Sequence, residues 1–302
     1  MKRIRIIGLC LVAVFAMSAI ATSVASAAKP EWASCTKLGT STGKYKDKAC
    51  TTLKEKKGVP SATGKYEYQP AVFPKCEKLA ASTGKYKDKA CTTLKEKKGV
   101  PVATGKYEKV STFTATLPPG KLSNKTLPAV ECTAGTGEGT MKASKEAEKV
   151  NLKFTGCTSA SGAVVCTTAG EPAGTIKTAD LNGKLIYVPG KKVGILLAPE
   201  APAVYFASFA CPGAGEIRAG GKVIGEVKGD INSTSTTFEM LFKGDGAGAQ
   251  EFTDEEGGTL GEDALAVEAN LGSSTGNKFV PFGPGSEETK ASATGPAVAI
   301  SA

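Results

Sequence analysis

From about Val110 onward, β-branched and aromatic residues alternate with Thr and Gly, and turn-forming residues recur at short intervals. The pattern predicts strands at Ser111–Leu117, Lys149–Thr155, Ala163–Thr168, Lys184–Val188, Val193–Ala198, Val204–Ala210, Val223–Val227 and Thr236–Phe242. Ile195–Ala198 and Val204–Ala210 read as the buried centre. Asn182-Gly183 is a two-residue hairpin signal, and Gly220-Gly221 is a weaker one. Helical periodicity is absent apart from one turn at Lys142–Lys149. Gly244–Gly261 and Ser273–Glu288 read as long loops. Many short strands joined by Gly-rich turns predict an all-β fold, an antiparallel β-sandwich or barrel spanning 110–302.

The chain before this domain has a different texture. Residues 35–67 and 76–108 are near copies that differ at four of 33 aligned positions. Thr-Gly-Lys-Tyr occurs four times, with its glycine at Gly43, Gly64, Gly84 and Gly105. Such self-similarity marks one small supersecondary unit used repeatedly. Each copy is too polar to build a core and calls for a staple. The nearest cysteines supply one, so Cys35–Cys50 and Cys76–Cys91 are the expected bridges. A closed loop of about 15 residues stabilises by roughly 3 kcal/mol in the chain-entropy model. Thr51 to Lys57 fits either a helical turn closed by Gly58 or short strands, and the strand reading is favoured. Residues 29–109 are therefore expected to form two small disulfide-stapled repeats ahead of the β domain.

The N-terminus predicts export. Lys2, Arg3 and Arg5 precede an apolar run from Ile6 to Ala21, and Ala25-Ser26-Ala27 fits a cleavage site. The run is shorter than the roughly 20 residues that span a bilayer. A cleaved signal over residues 1–28 is expected, with no transmembrane segment after it and a secreted or envelope-associated protein as the product. Eight cysteines lie beyond the signal: the four above, and Cys132, Cys157, Cys166 and Cys211. An even set in an exported chain reads as disulfides. Of the three pairings open to the last four, the local choice is Cys157–Cys166, which leaves Cys132–Cys211.

The chain contains no histidine. That excludes Ser-His-Asp and Cys-His catalysis and imidazole metal sites. Asp254-Glu255-Glu256 and Glu262-Asp263 cluster in one Gly-rich loop, but neighbouring acids are a poor match to two carboxylates facing each other across a sugar. The loop from Asp245 to Asp263 lacks the spacing of a calcium motif. No catalytic residue, metal site or cofactor is expected. A secreted carbohydrate-active or calcium-dependent enzyme using the 245–263 loop is the alternative.

Charge divides the chain. Residues 29–110 hold 19 Lys against 8 acidic residues, a net of +11, while residues 111–302 carry a net of −5. Within the repeats, Lys44, Tyr45, Lys46, Lys65 and Tyr66, and their counterparts Lys85, Tyr86, Lys87, Lys106 and Tyr107, interleave cations with rings. Lysines attract polyanions in a salt-dependent way, and a tyrosine face stacks on sugars. Both copies lack arginine, which argues against sequence-specific nucleic-acid reading. These residues are the candidate contacts to an anionic cell-wall polymer or polysaccharide. The competing reading is that the lysines solvate a tiny module whose core the tyrosines form.

Glu131-Cys132 with its Gly-Glu-Gly follow-on, Lys153-Phe154-Thr155-Gly156-Cys157, Gly194-Ile195-Leu196-Leu197 and Phe209-Ala210-Cys211 together resemble a group of uncharacterised exported β proteins of actinobacteria. The likeness covers roughly residues 130–243. It implies secretion, a β fold and disulfides, and brings no activity with it. The expected product is a non-enzymatic envelope or extracellular protein, with a self-associating matrix protein as a further alternative.

Overall fold

The computed structural model describes residues 30–301 apart from 80–81, 83, 144, 160–161, 214, 230, 246–248, 253–264, 273–275 and 277. The expected signal 1–28 and the acids Asp254, Glu255, Glu256, Glu262 and Asp263 lie outside the described residues. Among the described residues the regular elements are strands only. The front of the chain forms β1 (Glu31–Lys37), β2 (Glu55–Lys56), β3 (Val59–Pro60), β4 (Tyr66–Pro70), β5 (Lys75–Lys78), β6 (Glu96–Lys97), β7 (Val100–Pro101) and β8 (Tyr107–Leu117). Then come β9 (Gly120–Asn124), β10 (Val130–Cys132), β11 (Ala134–Ala143), β12 (Glu146–Thr155), β13 (Thr158–Ser159), β14 (Val164–Val165), β15 (Ile176–Lys177) and β16 (Leu181–Val188). The remainder is β17 (Lys192–Pro199), β18 (Tyr205–Cys211), β19 (Gly215–Gly220), β20 (Val223–Lys228), β21 (Ser235–Phe242), β22 (Ala266–Asn270) and β23 (Val280–Ser301).

The antiparallel pairings return on themselves. From β8 the ladder runs to β11, β12, β16, β17, β20, β21 and β23, and β23 pairs back onto β8 through Ser292–Thr116, Ala293–Ala115 and Thr294–Thr114. A second circuit links β9, β10, β13 and β14, crosses to β18 by the bridge between Thr167 and Ala210, and returns through β19, β22 and β23 to β9. The 22-residue β23 serves both circuits, 280–288 in the second and 289–298 in the first. Among the described residues the first circuit closes by ladder pairing, and the second is completed across β14 and β18 by the single bridge of Thr167 with Ala210.

The strands alternate as half-buried strands should. Val150, Leu152 and Phe154 of β12 face inward, and Leu185 and Val193 lie inside the wall. Ile195, Leu197, Phe206 and Phe209 are buried, as the two apolar runs predicted. The first circuit encloses a cavity of about 60 Å³ lined entirely by apolar residues, among them Trp32, Phe113, Met141, Phe238 and Met240. An eight-stranded circuit is about wide enough for side chains to fill, and here they nearly do.

All eight predicted strands are present, Ala163–Thr168 only as the two-residue β14 followed by the Thr167 bridge. Three local expectations are corrected, and one glycine-rich stretch takes a strand. Asn182-Gly183 is not a hairpin turn but lies within β16, where Gly183 sits opposite Leu197 and a Cβ would come within 3.2 Å of that of Ala147. Lys142–Lys149 is not a helical turn but the β11–β12 hairpin. Residues 280–288 of the expected second loop are strand. Gly135–Gly139 belongs to β11, its glycines facing a wall already filled by neighbours: a Cβ at Gly139 would stand 2.5 Å from the Phe113 ring.

The disulfides follow strand register. Cys35–Cys50 and Cys76–Cys91 form as expected, each with Cα atoms 5.7 Å apart. The other four pair as Cys132–Cys157 and Cys166–Cys211, not as the sequence suggested. Glu131 sits opposite Thr158, Thr158 opposite Val165, and Thr167 opposite Ala210. One step along each register puts the four cysteines in a row across the strands, in the order 132, 157, 166, 211. Adjacent strands lie about 4.8 Å apart. A central Cys157–Cys166 bridge would strand the outer two roughly three strand spacings apart, beyond the ~7 Å limit for a disulfide. Pairing from the ends uses all four.

Candidate polyanion-binding face of the repeats

Within each copy the two Thr-Gly-Lys-Tyr tetrapeptides meet each other. Gly43 N–H donates to the Gly64 carbonyl at 2.9 Å, and Tyr45 and Tyr66 exchange backbone bonds at 3.0 and 3.1 Å. Gly84 with Gly105 and Tyr86 with Tyr107 repeat the arrangement. The backbones approach so closely that a Cβ on Gly43 would overlap the carbonyl oxygen of Tyr66, and one on Gly64 that of Tyr45. This is a place where only glycine fits. A small hairpin, β2–β3, completes the copy. Its central residues Lys57 and Gly58 both have positive φ, 57° and 78°, as a tight hairpin turn of this type requires.

The crossing decides where the side chains go. Lys44, Lys46, Lys65, Lys85, Lys87 and Lys106 are exposed, while Tyr45, Tyr66, Tyr86 and Tyr107 are half-buried. The carboxylates turn the other way. Asp47 accepts N–H bonds from Ala49, Thr51 and Thr52 at 3.0, 3.2 and 2.6 Å, and Asp88 holds the equivalent turn at Ala90, Thr92 and Thr93. These donors favour the charged form and hold the Asp88 carboxyl down at about 2, with the Thr93 N–H the largest cause. Glu67 accepts the Lys44 and Tyr68 N–H groups, and Glu108 those of Lys85 and Lys109. Four acids are thus spent on backbone amides while the lysines point into solvent. Lys44 reaches Glu67 at 3.9 Å, and among the described residues Lys46, Lys65, Lys85, Lys87 and Lys106 form no ion pair.

The copies diverge just past their shared stretch. In the first, Tyr68 meets Tyr45 edge-on and donates its hydroxyl to the Asn232 carbonyl at 2.7 Å, docking that copy on the β domain. Burial raises the Tyr68 phenol, and burial followed by the Glu67 charge raises that of Tyr45. The equivalent residue in the second copy is Lys109, whose ammonium stands 5.5 Å from the centre of the Tyr86 ring. Here a cleft of about 120 Å³ opens, lined by the connecting segment Pro70–Phe73 and by Lys85, Tyr86, Glu108, Lys109 and Lys142. Lys142 reaches in from β11 and is paired with Glu148 at 3.2 Å.

Of the ten predicted contact residues, the structure brings Lys85 and Tyr86 into this cleft and distributes the rest over the outside of the two copies. Lys109 and Lys142 join the site from positions the repeat pattern does not mark. The Tyr68/Lys109 difference, one residue past the copied stretch, is the signal that points to Lys109. Lysine ammoniums around a half-exposed ring can hold a sulfate, phosphate or carboxylate group beside a sugar face.

The repeats are not separate from the rest. β1 pairs with the end of β23, Trp32 opposite Ile300, and with β4. β8 begins as the partner of β5 and continues into the first circuit, so the expected boundary at 109/110 falls inside one strand. Four disulfides are compatible with an extracellular protein, and among the described residues no helix is long and apolar enough to cross a membrane. Comparison with protein-family models, curated proteins and solved structures finds no match to the chain.

Proposed function

We propose that this is an exported, non-enzymatic protein of the envelope or extracellular space, whose repeats tether it to an anionic surface polymer. The observation that supports the reading is the placing of charge in the repeats: Asp47, Glu67, Asp88 and Glu108 are held by backbone amides, while Lys44, Lys46, Lys65, Lys85, Lys87 and Lys106 are exposed. Lysine rather than arginine suits a repeating polyanion, held by point charges without fixed geometry. The cleft at Lys85, Tyr86, Lys109 and Lys142 is where a sugar ring and its anionic group would sit together.

The test uses the full mature chain, because removing residues 29–109 would also remove β1 and the start of β8. The chain is cosedimented with purified cell walls across a salt series, beside a variant with Lys44, Lys46, Lys65, Lys85, Lys87 and Lys106 changed to Gln. Retention that salt reverses, and that the variant loses, is the expected result. Equal retention of both proteins at every salt concentration would overturn the reading.

A further inference from the structure

Glu287 of β23 is buried inside the second circuit, 6% exposed, and both of its carboxyl oxygens lack a hydrogen-bond partner. It borders a cavity of about 50 Å³ whose wall is otherwise almost wholly apolar, with Leu122, Val130, Phe154, Phe206 and Leu265 around it. The register explains the direction of the side chain. Ser286 and Glu288 lie on the opposite face of the strand, packed against Gly244 with Ser286 itself buried, so Glu287 between them turns to the cavity side. A carboxyl stripped of water and given no donor is among the most unfavourable groups a core can hold. Burial alone pushes its titration up to about 7.

The wall fixes what would relieve it. Among the described residues, the one other ionisable side chain on the cavity wall is Lys121 of β9, which is exposed. Cys132 is tied into its disulfide, and the wall residues from β12, β15, β18 and β19 are uncharged. The Thr178 hydroxyl accepts the Leu152 N–H at 3.0 Å, and its O–H makes no bond to Glu287. A guest must therefore bring hydrogen-bond donors at one end and an apolar body at the other. We infer that this cavity is a binding site for a small primary amine, its ammonium on Glu287 and its carbon chain against Leu122, Phe206 and Leu265. An ammonium supplies three donors and the opposite charge, which an alcohol does not. At ~10–15 Å³ per water-sized group, the space suits a guest of about four or five heavy atoms.

The probe is n-butylamine, with butan-1-ol and butyrate as comparisons, followed through the methyl NMR signals of Leu122, Val130 and Leu265 in the intact chain. At about pH 8, above the titration of the buried carboxyl, butylamine should shift these signals saturably and bind at least about tenfold tighter than butan-1-ol. Glu287→Gln should lose that preference while keeping the methyl spectrum of a folded protein. If that variant fails to fold, the native chain at about pH 5 serves instead, where the protonated carboxyl should bind the amine about tenfold more weakly. Equal binding of amine and alcohol, an undiminished preference in Glu287→Gln, or no shift with any probe (a cavity that holds only water) would each overturn the inference. None of these results depends on wall retention.

Discussion

Lys109 holds its ammonium 5.5 Å from the centre of the Tyr86 ring, at the position where the first copy has Tyr68 edge-on to Tyr45. One residue thus separates a docked copy from an open one. Lys109→Tyr should convert the second copy toward the first, removing a cation from the cleft and covering the Tyr86 face. A cation–π contact at an exposed site is worth about 0.5–1 kcal/mol, so stability should change little. Wall retention should be released at lower salt, which the cosedimentation series reads directly. Unchanged retention would place polymer binding elsewhere.

Gly43→Ala tests the backbone crossing. The added methyl overlaps the Tyr66 carbonyl, and backbone cannot swing aside as a side chain can. A loss of about 1–3 kcal/mol is expected, with faster proteolysis between Cys35 and Cys50. Gly58→Ala meets no atom within 4 Å but sits at φ 78°. Its cost should come from the left-handed backbone of that turn alone, about 1–2 kcal/mol. Thermal melts of the two variants separate the causes.

Asp88 gives the repeats an acid limit. Its carboxyl is held at about 2 against an ordinary 3.8. A depressed carboxyl contributes stability that is present above the unfolded value and is lost as pH falls through the folded one. The second copy should therefore loosen as pH drops from 3.8 toward about 2. Asp88→Asn should be loosened already at neutral pH and flat across that window. Amide exchange at Thr92 and Thr93 reports it.

Glu287 has the opposite sign. Its folded value of about 7 exceeds the ordinary 4.5, so the neutral form stabilises the fold. That contribution is complete below 4.5 and is lost as pH rises to about 7. Denaturant unfolding should show a decline on the order of 3 kcal/mol across the window, which Glu287→Gln abolishes. A native profile as flat as the variant's would refute the burial.

Peptide mapping of the oxidised protein should recover Cys132 with Cys157 and Cys166 with Cys211. Replacing Cys132 and Cys157 together with Ser should cost about 2–5 kcal/mol, measured by thermal unfolding. Recovery of a Cys157–Cys166 peptide would contradict the strand register.

The strand pattern was legible wherever apolar residues alternate, because Leu185, Ile195 and Phe209 need an interior and the period of two supplies one. It failed where glycine does the packing. Gly135, Gly137 and Gly139 carry no apolar signal in sequence, yet they are inward positions of β11 whose space is filled by neighbours such as Phe113 and Leu152. The start of β23 was hidden by Pro281, Pro284 and its adjacent acids, which sequence rules assign to loops. The repeat announced its staples and its lysines. The cleft was invisible because Lys142 and Lys85 are distant in sequence, and only β8, paired with β11 and bridged to Tyr86 at Tyr107, brings them together. The Cys157–Cys166 choice failed because spacing along the chain carries no information about Cys132 and Cys211 arriving on either side.

β23 also sets the order in which the molecule can be finished. Both circuits close on residues 280–298, and Trp32 finds Ile300 across nearly the whole chain. Contacts of that sequence separation form slowly. A chain emerging from its N-terminal side can staple Cys35 to Cys50 and Cys76 to Cys91 early, but its two β circuits stay open until residues 280–298 have arrived. The repeats are thus the first part able to hold shape, while the hydrophobic walls behind them still need protection from aggregation.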